Sequence, residues 1–556
     1  MYARPFLVAL TLLTLLAGCV TPVATPPSVQ AALYEPLTSA THKLGQFLPF
    51  DVKSFDGTMI HVDLQLPDGD GPFPTMLEYT PYALLGDEAW GLSAQTNLGL
   101  QGYSLANQYV PYGYAVGVVH VRGTGESGGC LTVGGPEEGK DGYAVVEHVA
   151  QQKWSNGKVA LLGTSYVGTT PIETAITQPP HLSAIIPMSG VTEWYRYYFE
   201  LGTHRRNGDP FPGSSDTDPA LWAAMGMVPG ARNPTNGGPD QAQCAAQYTT
   251  EDYAQDDYDA YWHARDLTKD AQNITVPVLY AHGWEDWNVA PSVVPAFLVN
   301  LTNSSDVHVW LQQHGHGVPA SKKAFYEYMH RFLDHWLLDR NNGAELLPTV
   351  IVEDNTGKFR AEPSWPPANL TSTRFYPVTG WKLAAAQGSG ALSYHDDATG
   401  RIDAELVGVD HLAFVSAPLD APLHIAGVPR LHVKLASDMP GTQIDVLVYD
   451  RAPDGSQAYL SRGYLDARHR DSLDKGADMI AGQAYDINFD LHPNDHIVAK
   501  GHSVVLVIKS TDDYVMRSPY RATNTVTLGN GTYLELPMID DGMIAHADAP
   551  PAPWVN

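Results

Sequence analysis

The sequence predicts a mostly parallel α/β sheet, interrupted by an insertion and followed by a separate all-β domain. Three observations lead there. Short apolar runs alternate with helical periodicity from Phe50 to about residue 342. That rhythm breaks between residues 191 and 270, which are rich in Trp, Tyr, Asp, Gly and Pro. After residue 343 only short alternating segments separated by turn residues remain.

The chain begins with a targeting pattern. Arg4 precedes an apolar run from Phe6 to Ala17, too short to span a bilayer, which needs about 20 residues. The run ends in Leu16-Ala17-Gly18-Cys19, which resembles a bacterial lipobox. Residues 1–18 are therefore expected to be removed as a signal peptide. Cys19 is expected to carry lipid and anchor an exported protein, periplasmic or on the cell surface, with no transmembrane helix. Residues 19–45, rich in Pro, Thr and Ala, read as a tether.

The expected strands come next. Met59–Leu66 alternates as a half-exposed strand should, and Thr75–Tyr79 and Tyr114–Val121 follow. Asp141–Gln151 is helical, with Tyr143, Val146, Val149 and Ala150 on one side. Lys158–Leu162 and Ala184–Met188 are short buried-type strands. The first part of the α/β domain is thus 46–190, and residues 191–270 form an inserted, helical cap. The domain resumes over 271–342 with strands Val276–Ala281 and Val307–Leu311. An amphipathic helix, Ser321–Leu338, presents Phe325, Met329, Phe332 and Trp336 on one face. The β domain, 343–550, includes strands at Arg430–Leu435, Ile444–Tyr449, Ala484–Phe489 and His502–Ile508.

The formal net charge is -28. Nucleic acid is excluded as a partner, because phosphate binding needs clustered Lys and Arg. Without Cys19, two cysteines remain, Cys130 and Cys244. In an oxidising compartment they are expected to pair. No metal-ligand spacing and no cofactor fingerprint is present. The run Val121-Arg122-Gly123-Thr124-Gly125-Glu126-Ser127-Gly128 lacks the G-x-G-x-x-G spacing of a nucleotide loop and reads as a structural turn.

The chemistry-bearing motif is Gly163-Thr164-Ser165-Tyr166-Val167-Gly168. It matches G-x-S-x-G between a strand and a helix, the setting of the α/β-hydrolase nucleophile elbow. A tight bend lifts the Ser165 hydroxyl outward, and the helix start aims the Tyr166 N–H at a developing oxyanion. Pro171 is acceptable only if it falls in the first helical turn. A serine needs a base, and that base needs an acid. Strand ends at Tyr280-Ala281-His282-Gly283-Trp284-Glu285-Asp286 and Leu311-Gln312-Gln313-His314-Gly315-His316 supply both. Spacing leaves Glu285 against Asp286, and His314 against His316, undecided.

These pieces together resemble the Xaa-Pro dipeptidyl-peptidase and cocaine esterase family of serine hydrolases. The likeness runs from about residue 50 to 535. It rests on Val121–Gly129, Trp154-Ser155-Asn156-Gly157-Lys158-Val159, the Gly163–Gly168 elbow, His282–Asp286 and Gly315-His316-Gly317. The resemblance implies a triad of Ser165, Asp286 and His316. It implies that Tyr82, in Thr80-Pro81-Tyr82, completes the oxyanion hole beside Tyr166. It also implies a helical cap and a C-terminal galactose-binding-like jelly roll. His120 departs from the family's more usual Asp at a position that looks structural.

Family substrates are small peptides or esters. Expected activity is removal of N-terminal dipeptides after proline, through an acyl-enzyme. The alternative is an esterase or α-amino-acid ester hydrolase. A substrate ammonium needs a carboxylate, and Glu193, Glu200 and the run Glu251–Asp259 are candidates. Trp194, Tyr195 and Trp287 are candidate pocket walls. A reading from another class makes the β domain a surface carbohydrate binder, which a fold likeness alone does not support.

Overall fold

The computed structural model describes residues 34–82, 100–205, 256–396, 410–512, 514–515, 519–540 and 547. Cys19, most of the tether, Cys244 and Glu251–Gln255 lie outside these residues. No helix among the described residues is long and apolar enough to cross a membrane.

Strands between Leu44 and Glu362 build one ten-stranded sheet. Its early strands are β1 (Leu44–Lys53), β2 (Met59–Pro67), β3 (Phe73–Thr80), β4 (Ala115–His120), β5 (Ser155–Thr164) and β6 (Leu182–Met188). A small hairpin in the insertion supplies β7 (Phe199–Glu200) and β8 (Thr203–His204). The sheet resumes with β9 (Val278–Gly283), β10 (Val307–Gln312), β11 (Val350–Glu353) and β12 (Phe359–Glu362). The spatial order is β1-β2-β4-β3-β5-β6-β9-β10-β11-β12. Every pairing from β4 to β11 is parallel, and the antiparallel pairings lie at the two edges.

Parallel strands need crossovers, and helices supply them on both faces. They are α1 (Leu100–Tyr109), α2 (Pro136–Ala150), α3 (Tyr166–Ile176), the insertion helices α4 (Trp194–Tyr198) and α5 (Ala260–His263), α6 (Val294–Asn300) and α7 (Lys322–Leu338). Alternation along the strands divides the core into two layers. Leu77, Tyr79, Val159 and Leu161 pack with Val145, Val149 and Ile172 of α2 and α3. Met76, Ala160 and Leu162 pack with Phe325, Met329 and Phe332 of α7. Trp336 is only half-buried.

Several expectations need correction. β2 is almost wholly buried rather than half-exposed, because β4 and the loop after it cover its polar face. There His61 and Asp63 meet His120, and the His61 N–H donates to Ser127 Oγ at 2.8 Å. Tyr143 is exposed, and the buried side of α2 includes Glu138, Asp141 and Val145 instead. Pro171 is the sixth residue of α3, not part of its first turn. The Thr170 hydroxyl lies 3.4 Å from the Val167 carbonyl that a residue-171 N–H would have served, but donates to the Tyr79 carbonyl at 2.7 Å. β11 and β12, which lie past residue 343, extend the first sheet. They are short and alternating, so composition groups them with the β domain that follows.

The described part of the insertion holds two short helices and one hairpin; residues 206–255 lie outside the description. The C-terminal domain is all β. Thirteen strands from Thr371 to Met538 join in a nearly all-antiparallel network around a core that includes Leu431, Val446, Leu506 and Leu534. The four expected segments are found there as Arg430–Ser437, Gln443–Arg451, Ala484–Asp490 and Ser503–Lys509. The glycine-rich run after β4 is a structural turn. Arg122 grips the buried Asp141 with two hydrogen bonds, of 2.7 and 2.8 Å.

The β2 cluster has a pH signature. Burial alone would lower the His61 imidazole, but hydrogen bonds to Asp63 and Asp51 outweigh it and raise it to about 9. A raised imidazole contributes stability in full below its unfolded value near 6.5, and loses it as pH climbs through about 9. We expect wild type to exceed His61→Gln in unfolding free energy by about 2 kcal/mol at pH 6. The gap should close by pH 10. Urea titrations across that range check this, and a gap independent of pH contradicts it.

Candidate active site

Ser165 occupies the bend between β5 and α3. Its backbone sits at φ 67° and ψ -130°, a strained conformation for a residue with a side chain. The bend is held by its N–H donating to the Met188 carbonyl at 3.0 Å. Close packing explains the flanking glycines. A Cβ on Gly163 would lie 2.3 Å from Val167, and one on Gly168 would lie 2.5 Å from the Met188 carbonyl oxygen.

Tyr82 follows β3, the neighbour of β5. Burial raises its phenol, while hydrogen bonds from the Ser165 side chain and the Tyr166 N–H act in the opposite direction. The phenol oxygen therefore meets the hydroxyl of Ser165 and the first amide of α3. The Tyr166 ring points the other way. Its hydroxyl donates to Glu138 Oε2 at 2.8 Å and accepts from the Gly134 N–H at 3.1 Å.

Asp286 follows β9, and its side chain is 0% exposed. One carboxylate oxygen accepts from the N–H groups of Asn288 and Val289, at 3.0 and 2.8 Å. The other meets Nδ1 of His316 at 2.8 Å. Burial alone would raise this carboxyl, but His316, His282 and the Val289 N–H outweigh it and hold it below its usual range. The His316 side chain, 26% exposed, lies at the rim past β10.

The geometry separates the competitors. His314 Nδ1 contacts the Gly315 carbonyl rather than a carboxylate, and burial lowers its imidazole. Glu285 is exposed. His282 is buried, pushed down to about 4 by desolvation, and meets the Val289 carbonyl at 3.0 Å. Ser189 escaped the sequence reading. It follows β6 at φ 45°, and its hydroxyl donates to the Gly317 carbonyl at 3.2 Å. It thus links the strand that holds Ser165 to the loop that carries His316. Only its place between two candidate strand ends could have drawn notice in the sequence.

The candidate pocket walls fare differently. Trp194 and Tyr195 are 1% and 0% exposed and belong to the core. Trp194 packs edge-on against Tyr166, and Tyr195 donates its hydroxyl to the Asp256 carbonyl. Their apolar surface is used in holding the insertion down. Trp287 is half-buried and faces the C-terminal domain, with Tyr459 and Arg462 against its ring.

The candidate ammonium readers that lie within the description are already engaged. Glu193 holds Arg196 at 2.8 Å. Burial would raise Glu200, but His492, Arg205 and Arg196 outweigh it and hold it at about 2. Asp256 pairs with Arg468, Asp257 with Lys475, and Asp259 caps α5. Asp256, Asp466 and His469 bring possible ligand atoms within 4.8 Å of one another. Arg468, 3.1 Å from Asp256, already supplies positive charge there.

Comparison with known proteins meets this geometry. Residues 56–318 match the model of the X-Pro dipeptidyl-peptidase S15 family. Residues 342–535 match the X-Pro dipeptidyl-peptidase C-terminal non-catalytic domain. The chain carries an S15 peptidase domain followed by a PepX_C domain, and its relatives are Xaa-Pro dipeptidyl-peptidases. It is a serine hydrolase. A Streptomyces avermitilis protein provisionally named Xaa-Pro dipeptidyl-peptidase is 27% identical over 496 residues, covering 76% of this chain and 70% of the relative. The Xaa-Pro dipeptidyl-peptidase of Lacticaseibacillus paracasei is 25% identical over 495 residues, covering 76% of this chain but 61% of that enzyme. Among solved structures, an α-amino acid ester hydrolase superposes with a TM-score of 0.71 at 18% identity, covering 93% of this chain and all of that one. A CocE/NonD family hydrolase from Staphylococcus aureus gives 0.72 at 18% identity, with 94% and 99% covered. At that identity the structures share the fold alone.

If Tyr82 donates to the oxyanion, Tyr82→Phe keeps the ring and removes the donor. We expect kcat to fall by about 10²-fold with KM within a few-fold. Steady-state kinetics on an activated ester checks this. An unchanged kcat removes Tyr82 from the chemistry.

Proposed function

We propose that this protein is an Xaa-Pro dipeptidyl-peptidase-like serine hydrolase working through an acyl-enzyme. The observation that carries it is the Asp286–His316 hydrogen bond at the same strand-end rim as the strained Ser165. Ser165 attacks the carbonyl after the second residue of the substrate. His316 takes the serine proton and delivers it to the leaving amine. Asp286 holds the imidazole tautomer and its charge. Tyr82 and the Tyr166 N–H receive the oxyanion. Water, deprotonated by His316, then releases the dipeptide. The names of the curated relatives support this substrate class.

A second reading, an esterase of the cocaine esterase type, is favoured by one observation. Glu193, Glu200, Asp256, Asp257 and Asp259 all have partners within the protein. Each already has a partner for its charge, and only Glu200 Oε2 among these oxygens is buried without a hydrogen bond. Assays of Ala-Pro-p-nitroanilide beside p-nitrophenyl butyrate separate the readings, with Ser165→Ala as the blank. The peptidase reading expects release from the anilide, abolished when the substrate amine is acetylated. Ester turnover without anilide release selects the esterase. A fluorophosphonate probe that leaves Ser165 unlabelled defeats both.

We further propose an exported lipoprotein anchored through Cys19, with a Cys130–Cys244 disulfide and a jelly-roll topology in the β domain. Cys130 is 8% exposed, and its sulfur is not a free thiol, which supports the pairing. Antiparallel strands around a single apolar core support the jelly roll. Mass spectrometry of unreduced protein extracted from membranes should find diacylglyceryl on Cys19 and a cross-linked Cys130–Cys244 peptide. Two alkylatable thiols in the mature, unreduced chain contradict the bridge, and an unmodified Cys19 contradicts the anchor.

A further inference from the structure

The loops that carry Asp286 and His316 both leave the catalytic sheet and run against the C-terminal domain. One segment of that domain, His492-Pro493-Asn494-Asp495, touches both. On the acid side, Trp287, next to Asp286, lies beside His492 with ring centroids 6.3 Å apart at 24°. The same indole lies 4.2 Å from the Arg462 guanidinium. Its backbone carbonyl accepts from Arg205 at 2.8 Å. On the base side, Gln313 stands three residues before His316. Its side-chain amide donates to Asn494 Oδ1 at 3.0 Å and to the Asp495 carbonyl at 2.7 Å.

The segment is itself fixed. Asp495 is fully buried and chelated by Arg360 of β12, with His424 at 2.9 Å. Asn494 donates to the Leu460 carbonyl at 2.8 Å. His492 contacts Glu200 of the insertion at 2.7 Å. A rigid strut therefore spans the gap between two loops whose separation decides whether the Asp286–His316 hydrogen bond forms.

We propose that His492–Asp495 of the C-terminal domain is a positioning element for the acid and base, acting on the His316 loop through Gln313. The proposal rests on the triad assignment above. Gln313 is a positioning residue and touches no substrate. Its amide fixes the entry of the loop, and with it the distance from His316 Nδ1 to Asp286. The domain matched as non-catalytic is in this respect part of the catalytic geometry.

The test uses the full-length protein and compares Gln313→Ala with Asn355→Ala. Asn355 ties the same two domains together from the β11–β12 turn, and its own side-chain hydrogen bonds go to His496 and to the Ile497 backbone rather than to Gln313 or Trp287. Gln313→Ala should lower kcat by about 10- to 100-fold with KM within a few-fold, as small misplacements of reacting groups do. A loosened carboxylate stabilises the imidazolium less, so the acid limb of kcat/KM should move to lower pH by ~0.5 unit. Asn355→Ala should reduce the melting temperature but leave kcat and the limb in place. Gln313→Asn, one methylene short of the contact, should behave as Gln313→Ala and serves if that variant does not fold. The inference is overturned if the Gln313 variants keep wild-type kcat and limb. It is equally overturned if Asn355→Ala loses kcat and shifts the limb in parallel. Wild type without fluorophosphonate labelling at Ser165 would instead overturn the triad reading.

Discussion

The site depends on a carboxylate that has been taken fully out of water. An ionised group with no exposure survives only if every lone pair it turns inward is answered. Asp286 meets that demand with two backbone N–H groups from its own loop and one imidazole from the next strand. The first two make the loop close on itself, so the carboxylate cannot rotate away. The third makes the imidazole part of the compensation. His316 is therefore held by the cost of leaving Asp286 unpaired, which is larger than the net gain of one ordinary hydrogen bond. Its side chain stays partly exposed at the rim.

Parallel topology does the rest of the gathering. Four adjacent strand ends, of β3, β5, β9 and β10 with β6 between, deliver Tyr82, Ser165, Asp286 and His316 to one edge. Each side chain sits just past a strand, where the backbone is released from the ladder but still anchored by it. The strain at Ser165 is sustainable because the neighbouring packing leaves no alternative. The Met188 carbonyl holds its N–H, and Val167 and Met188 fill the space that side chains at residues 163 and 168 would need.

What the sequence disclosed follows a physical division. The parallel sheet, the elbow and the strand-borne acid and base were legible because each depends on local pattern: apolar runs, a small-residue bend, a polar residue just past a strand. The tie between His314 and His316 was not legible, since both follow the same strand at nearly the same distance. It took the direction of two imidazoles to separate them. Trp194 and Tyr195 stayed open between pocket wall and core because an aromatic residue advertises apolar area without saying which side of it faces a void. Glu193 and Glu200 stayed undecided candidates for the converse reason. A carboxylate's availability depends on which arginine or histidine arrives from distant sequence, as Arg205 and His492 do for Glu200. Ser189 left no trace, because its role is to be adjacent to two other strands.

The stretch just past residue 343 shows how the two domains depend on one another. β11 and β12 finish the catalytic sheet, yet the Arg360 of β12 spends its guanidinium on Asp495 of the β domain. Both groups are buried, so neither can be left without the other at tolerable cost. The edge strand of one sheet is therefore completed electrostatically by the other domain. An interface built this way resists the sliding that ordinary interdomain contacts permit. That rigidity reaches the rim, because the residue beside Asp495 accepts the amide of Gln313. A domain with no reacting group of its own can then govern the reaction by fixing where two loops stand.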